Sequence, residues 1–358
     1  MVSNGLAFAW GSAQTQNSKD PLAPVSKKPI VIRGAGITGL WQALTLRRRG
    51  HDVILIERST EPFEGSCSAV AGAMLAPYCE EEASCPLIRQ LSLRSIDLWR
   101  EVYPKLTCAG SLVVTPPRDR RELDRFARLT QGHERLTADG LGALEPDLAD
   151  RFSLALYYQA EAHLEPPAAL SFLLKEVQAA GVDVHFGTED VPKAYDRLID
   201  CRGLDARDEL DDLRGVRGER VIIRTQDVEL KRPVRLLHPR FPIYVVPWSD
   251  HRFMVGATQI ESEAMSGLSV RSALELLSTA YALHPAFGDA EIVNVDVGLR
   301  PAFSDNLPRI VVKGADIYVN GLYRHGFILA PALAELVADH LASGAEHPEV
   351  FVADSRER

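Results

Sequence analysis

Three glycines set the first chemical constraint. Gly34, Gly36 and Gly39 stand at GxGxxG spacing, and a carboxylate, Glu57, follows 18 residues after the last of them. That pattern suits a dinucleotide: Gly34 permits a tight turn, Gly36 lets main chain approach a pyrophosphate, Gly39 lets a helix pack close to a strand, and the acid reaches a ribose. Glycines needed only for turns and packing produce the same pattern, so its meaning depends on the elements around it.

Those elements are the ones required. Pro29 to Arg33 is a short β-rich run that feeds the glycines, and Ile37, Leu40, Trp41 and Leu44 follow at helical spacing. Asp52 to Glu57 is a second β-rich run ending in the acid. Strand, loop, helix and strand in that order form a βαβ unit, whose helix N-terminus offers N–H groups and positive potential to phosphates. After the acid comes Ser66-Cys-Ser-Ala-Val-Ala-Gly-Ala-Met-Leu-Ala-Pro-Tyr78, small residues that let a ring system lie against backbone and favour a flavin over NAD. Near the other end, Ile317 to Asn320 reads as a strand and Gly321 to His325 as a loop. A long amphipathic helix must then start close to Gly326, with Leu329, Leu333, Leu336, Val337 and Leu341 on its apolar face and Pro331 tolerable only near the first turn. Its N-terminus could stabilise an anionic reduced flavin.

Composition fits this reading. The chain has 358 residues, and 40 Lys and Arg against 49 Asp and Glu leave a formal charge of −9, which argues against a basic nucleic-acid-binding face. The length allows about two domains at roughly 150 residues each. No run of about 18 consecutive apolar residues exists, so no membrane-spanning helix and a soluble protein are expected. Five dispersed cysteines without CxxC fit a reducing cytoplasm, and no ligand spacing suggests a metal. Residues 1–28 read as a disordered lead-in without signal-peptide or presequence features. Clusters of charge at Arg118 to Arg128 and Arg202 to Arg220 read as solvated helices or turns, and the run Glu80-Glu81-Glu82 most simply as a solvated loop, with a position near the pocket mouth as the other reading. Arg33, at the end of a buried strand, either serves the ligand or reaches solvent.

RGAGITGL (33–40), Glu57-Arg58, SAVAGAMLAP (68–77), DCRGLDAR (200–207), VGLRPAFSDNLPRI (297–310) and NGLYRHGFILAPALA (320–334) together resemble the FAD-dependent D-amino acid oxidase superfamily. Within it they look most like the glycine oxidase branch that serves thiazole formation for thiamine. The likeness runs from about 29 to 345. It implies an α/β chain, α+β overall, with a Rossmann-type FAD-binding domain at 29–80, 150–205 and 300–348. A second, mixed or antiparallel-sheet substrate domain is implied at 81–149 and 206–299. It also implies FAD contacts from Gly34, Gly36, Ile37, Thr38 and Gly39 at the phosphates, from Glu57 and Arg58 at the adenosine, and from Cys67, Ser68, Gly72, Ala73 and Met74 near the flavin. Leu322, Tyr323, Arg324, His325, Gly326, Phe327 and Ile328 would close over the ring, and an adenine contact is placed near Asp190. Related sarcosine oxidases tether their flavin through a C-terminal cysteine; no cysteine lies beyond Cys201 here, so noncovalent FAD is expected.

On the substrate side the resemblance points to Arg300, whose planar guanidinium can hold a carboxylate bidentately and fix its rotation. Tyr244 would share the carboxylate, and Arg324 would extend the cationic patch. The implied reaction is oxidation of glycine, sarcosine or a small D-amino acid to imine or glyoxylate, ammonia and H2O2, with O2 as acceptor and the cofactor carrying the chemistry. Gln259 could border the pocket. No nucleic acid, membrane or metal is expected as a partner, and relatives often form homotetramers. Two further readings stay open: a flavin oxidoreductase acting on a glycine-like side chain of a modified tRNA base, and a nonenzymatic FAD-binding protein.

Overall fold

The computed structural model describes residues 28–81, 86–237 and 243–353. The expected lead-in, apart from Lys28, lies outside the described residues, as do Glu82 and Cys85. Strand Ile30–Arg33 buries its apolar side chains, and helix Ile37–Arg48 begins directly after Gly36. Strand Val53–Glu57 returns parallel to the first, pairing Ile30 with Val53 and Arg33 with Ile56. This is the βαβ unit expected from the glycine spacing.

The unit sits in a seven-stranded sheet whose spatial order is Phe351–Ala353, Arg309–Lys313, Asp316–Asn320, Arg197–Asp200, Ile30–Arg33, Val53–Glu57 and Asp183–Phe186. Its pairings are parallel except between Arg309–Lys313 and Asp316–Asn320, which form a hairpin. Helices Ile37–Arg48, Pro86–Val102 and Gly326–Ser343 pack on one another in the core that covers this sheet. Helix Gly326–Ser343 is long and apolar enough, by length and composition alone, to cross a membrane, but Glu335, Asp339 and His340 interrupt its apolar residues and it is largely buried in that core. It is also less amphipathic than expected: Phe327 to Ala334 are all buried, because helices and sheet surround its first half.

Pro331 is tolerated deeper in this helix than expected. It is the sixth helical residue, and its missing N–H would leave the carbonyl of Phe327 unpaired. The indole Nε1–H of the fully buried Trp99 donates to that oxygen at 2.7 Å, so the neighbouring helix supplies the bond that proline cannot.

A second sheet of eight strands runs Glu291–Ala302, Arg214–Arg224, Arg252–Gly256, Ile243–Pro247, Val234–Leu236, Ser111–Val114, Leu154–Tyr158 and Glu134–Thr137. All neighbours are antiparallel except Val234–Leu236 and Ser111–Val114. Helix Val270–Leu283, whose N-cap Ser269 accepts from the N–H of Ser272 at 3.1 Å, covers one of its faces.

The expected boundaries are crossed in three places. Leu154–Tyr158 pairs into the second sheet, helix Pro86–Val102 packs in the core of the first, and Arg300 lies inside strand Glu291–Ala302. The physical reason is the same each time: these segments are buried against partners distant in sequence. The cluster from Arg202 to Arg220 is also not solvated throughout. Arg217, Glu219 and Arg220 are buried in strand Arg214–Arg224, where Arg217 and Glu219 pair with each other, Arg220 pairs with Asp296 on the next strand, and loop carbonyls complete what water would otherwise provide.

Candidate active site

Between the two sheets lies a cavity of about 490 Å³, reached from both halves of the fold. Gly34, Gly36, Ile37 and Thr38 line one end, at the N-terminus of helix Ile37–Arg48, with Glu57 and Arg58 beside them. The loop is rigidly made: the N–H of Ala35 donates to Glu57 Oε2 at 2.7 Å and that of Ile37 to Ser68 Oγ at 3.2 Å. Gly39 does not line the cavity. A β-carbon there would lie 1.8 Å from the carbonyl oxygen of Gly34, so its role is the close packing of helix on loop.

A side recess of about 40 Å³ adjoins this end, lined by Arg33, Gly34, Glu57, Arg58, Thr188, Glu189, Arg202 and Asp205 among others. Arg33 therefore faces the site, with its Nη1 3.7 Å from the buried Asp200, which also accepts from Arg202 Nε at 2.7 Å. Asp190, placed by sequence near an adenine, is exposed and lines neither space; Thr188 and Glu189 line the recess instead. The chain turns outward after strand Asp183–Phe186, and only the first residues of the turn meet the recess.

Cys67, Ser68, Gly72, Ala73 and Met74 line the middle of the cavity, and Leu322, Tyr323, Arg324, His325, Gly326, Phe327 and Ile328 line it from the C-terminal side. Helix Gly326–Ser343 starts at this wall, so its first N–H groups face the cavity. Arg300 and Tyr244 project from the second sheet into the same space. The Arg300 guanidinium lies flat over Gly218 on the next strand, where a β-carbon would approach its Nη2 to 2.3 Å. Its Nη1 donates to the carbonyls of Thr258 at 3.0 Å and Arg217 at 3.4 Å. Among the described residues no carboxylate pairs with it. Burial pulls its pKa below the ordinary guanidinium value, which Tyr244 and Tyr323 oppose. Tyr244 packs over Gly72, and burial pushes its phenol upward against the influence of Arg300. Tyr323 Oη donates to Gln259 Oε1 at 2.9 Å, so Gln259 does border the cavity.

Three contributors were not among the expected site residues. Arg220 ties the second sheet to the small-residue wall, donating from Nε to Asp296 on the next strand at 2.9 Å, from Nη2 to the carbonyl of Ala69 at 3.1 Å and from Nη1 to that of Ala71. Its signal was a charge interleaved with Val, Gly and Ile at strand spacing in Val216 to Ile223. Arg235 lines the cavity from beneath. Glu80, taken for part of a solvated loop, also lines it and pairs with Arg324, with His325 Nε2 3.4 Å away and Arg235 Nη1 4.0 Å away. Burial alone would raise the Glu80 carboxyl, but Arg324, His325 and Arg235 outweigh it and hold it well below the usual carboxylate range. Arg324 thus does not add a bare charge to the patch, as expected; Glu80 balances it.

The donor set fits a dinucleotide that carries a flavin. A glycine loop and helix N-terminus suit phosphates, an acid closes the second strand, and a second helix N-terminus faces the small-residue wall where a planar ring fits. No group of His, Cys, Asp or Glu suited to a metal occurs among the described residues.

The FAD dependent oxidoreductase family, DAO, matches residues 29–340. A thiamine biosynthesis oxidoreductase, ThiO, of Rhizobium etli is 47% identical over 324 residues, covering 89% of this chain and 98% of that one. The glycine oxidase of Pseudomonas aeruginosa is 27% identical over 360 residues, covering 88% and 95%. Among solved structures, glycine oxidase from Bacillus cereus superposes with a TM-score of 0.76 at 22% identity, covering 89% of this chain and 96% of its own, which shows a common fold.

Proposed function

The chain belongs to the DAO family of FAD-dependent oxidoreductases and is an FAD-dependent amino acid oxidase, and on that premise we propose that its substrate is glycine or an amino acid little larger. The observation that carries this reading is Arg300: a half-buried guanidinium with no carboxylate partner among the described residues, opening into the cavity beside Tyr244. Such a group is costly to bury unless a ligand completes it, and an α-carboxylate matches its donors.

The residues at Gly34 to Thr38, Glu57 and Arg58 would hold the nucleotide part of FAD, and Cys67 to Met74 with Leu322 to Ile328 the flavin, without a covalent bond. When bound, FAD supplies the two-electron acceptor for the substrate's Cα–H bond and passes the electrons to O2. Arg300 and Tyr244 orient the substrate by its carboxylate, and Thr258 and Arg217 carbonyls fix the guanidinium that does so. A bound flavin and substrate would displace water from the cavity, which would strengthen these contacts. Glycine, water and O2 would yield glyoxylate, ammonia and H2O2. The likeness to the Rhizobium etli protein supports a place in thiamine biosynthesis.

We assign the seven-stranded sheet and its helices to the cofactor and the eight-stranded sheet to the substrate. A cytoplasmic setting accords with Cys67, Cys79, Cys108 and Cys201, which are all unpaired thiols. The test is anaerobic flavin bleaching by a panel of glycine, sarcosine, D-alanine and L-alanine, followed by peroxide measurement in air. Bleaching by glycine is expected; a flavin left oxidised by every member of the panel overturns the reading.

A further inference from the structure

Glu80 stands at the substrate end of the cavity with Tyr244, Arg235, Arg324 and His325, and it is placed there by construction. Its turn is anchored from below: Glu161 Oε1 accepts from the N–H groups of Tyr78 at 3.0 Å and Cys79 at 2.7 Å, and Ser111 Oγ bonds Oε2 of the same fully buried carboxyl group. Arg235 Nη1 donates to the carbonyl of Cys79 at 3.1 Å, and the N–H of Glu80 donates to the carbonyl of Ala76 at 3.2 Å. The Glu80 carboxylate therefore meets Arg324 as a fixed partner.

Two guanidinium groups, from Arg300 and Arg324, face one small cavity, but they differ in company. Arg300 is held by carbonyl oxygens only, whereas Arg324 is covered by Glu80 and keeps a buried Nε without a hydrogen-bond partner among the described residues. From this difference, and resting on the reading of Arg300 as the α-carboxylate site, we propose that Glu80 is a specificity-determining residue that occupies Arg324 and so excludes amino acids carrying a second acidic group. A side-chain carboxylate directed at Arg324 would meet Glu80 at close range, where like charges repel. Without Glu80, Arg324 is a ready partner for that second carboxylate.

The test compares D-aspartate with D-asparagine, which match in size and differ in charge, on FAD-loaded wild type and Glu80→Gln. The expected result is a rise of about tenfold or more in the ratio of kcat/KM for D-aspartate over D-asparagine in the variant. The gain is expected to vanish in the double variant Glu80→Gln, Arg324→Gln. Calorimetric affinities for D-malate relative to D-lactate should shift in the same direction, a readout independent of turnover. An unchanged ratio overturns the proposal, and so does a parallel rise for both amino acids, which would mean only a wider pocket. A fall in glycine efficiency without any gain for D-aspartate also overturns it, since Glu80 would then be serving the amine. If Glu80→Gln does not retain FAD, Glu80→Ser removes the same charge and is judged by the same ratios. Failure of wild type to oxidise any amino acid would instead sink the proposed function, while the D-malate to D-lactate ratio would still decide the role of Glu80.

Discussion

Arg300 owes its competence to what is missing around it as much as to its own charge. Gly218 leaves room for the guanidinium, and two main-chain carbonyls hold one of its nitrogens, so the remaining donors stay available to a ligand. Arg300→Ala removes charge-assisted bonds worth roughly 1.5–3 kcal/mol each, and is expected to lower kcat/KM for glycine on the order of 10²-fold or more while FAD stays bound. Steady-state kinetics alongside the flavin spectrum checks both halves of that statement. Glu161 offers a second prediction at this scale. Burial raises its pKa from 4.5 to about 8, against the opposing bonds from Ser111, Cys79 and Tyr78. Between those values the folded chain keeps a proton that the unfolded chain has released, so this contribution to stability is complete below pH 4.5 and is lost as pH rises through about 8. Glu161→Gln should flatten that part of the Tm profile; an unaltered slope between pH 5 and pH 8 would show that Glu161 does not carry it.

At the scale of elements, helix Gly326–Ser343 brings the cofactor wall and the core together. Its N-terminus faces the cavity while Pro331 interrupts its hydrogen-bond ladder one turn later, and Trp99 repairs the interruption. Trp99 also meets Trp41 edge-on with ring centres 5.0 Å apart and stacks near Phe327 at 6.2 Å. Trp99→Phe keeps an aromatic ring but strands the Phe327 carbonyl, a loss of about 1–3 kcal/mol from the unpaired acceptor alone. The expected outcome is a lower Tm, with weaker FAD retention because Phe327 and Ile328 line the site. Equal Tm values for variant and wild type would count against this account of the proline. The same element scale explains Gly39: its value lies in a contact between helix and loop rather than in touching a ligand.

For the whole molecule, the cavity is walled by residues from both halves of the fold, and Arg220 of the second sheet holds the small-residue loop through the carbonyls of Ala69 and Ala71. A cofactor that fills this space binds the folded chain and not the unfolded one. Free FAD at about 100 times its Kd should therefore add roughly 2.7 kcal/mol of stability. Stripping FAD is expected to lower Tm and re-adding it to restore the original value, as followed by circular dichroism. A Tm indifferent to FAD would mean that the cofactor does not hold the two sheets together.

Local sequence determined the βαβ unit, because its turn glycines, strand periodicity and terminal acid each act over a few residues and agree with one another. It also marked Gly326 as the start of the last helix and Arg300 as a guanidinium worth watching, the latter through likeness to a family. Only tertiary structure decided where Glu80 goes, that Arg217, Glu219 and Arg220 are buried, and that Asp190 misses the recess. Those outcomes depend on desolvation and on partners brought from far along the chain: a charged residue in a run of charges reads as solvated until the fold places Arg324 against it. Pro331 makes the same point in the opposite direction, since a ring that breaks an isolated helix is accommodated once Trp99 arrives from another.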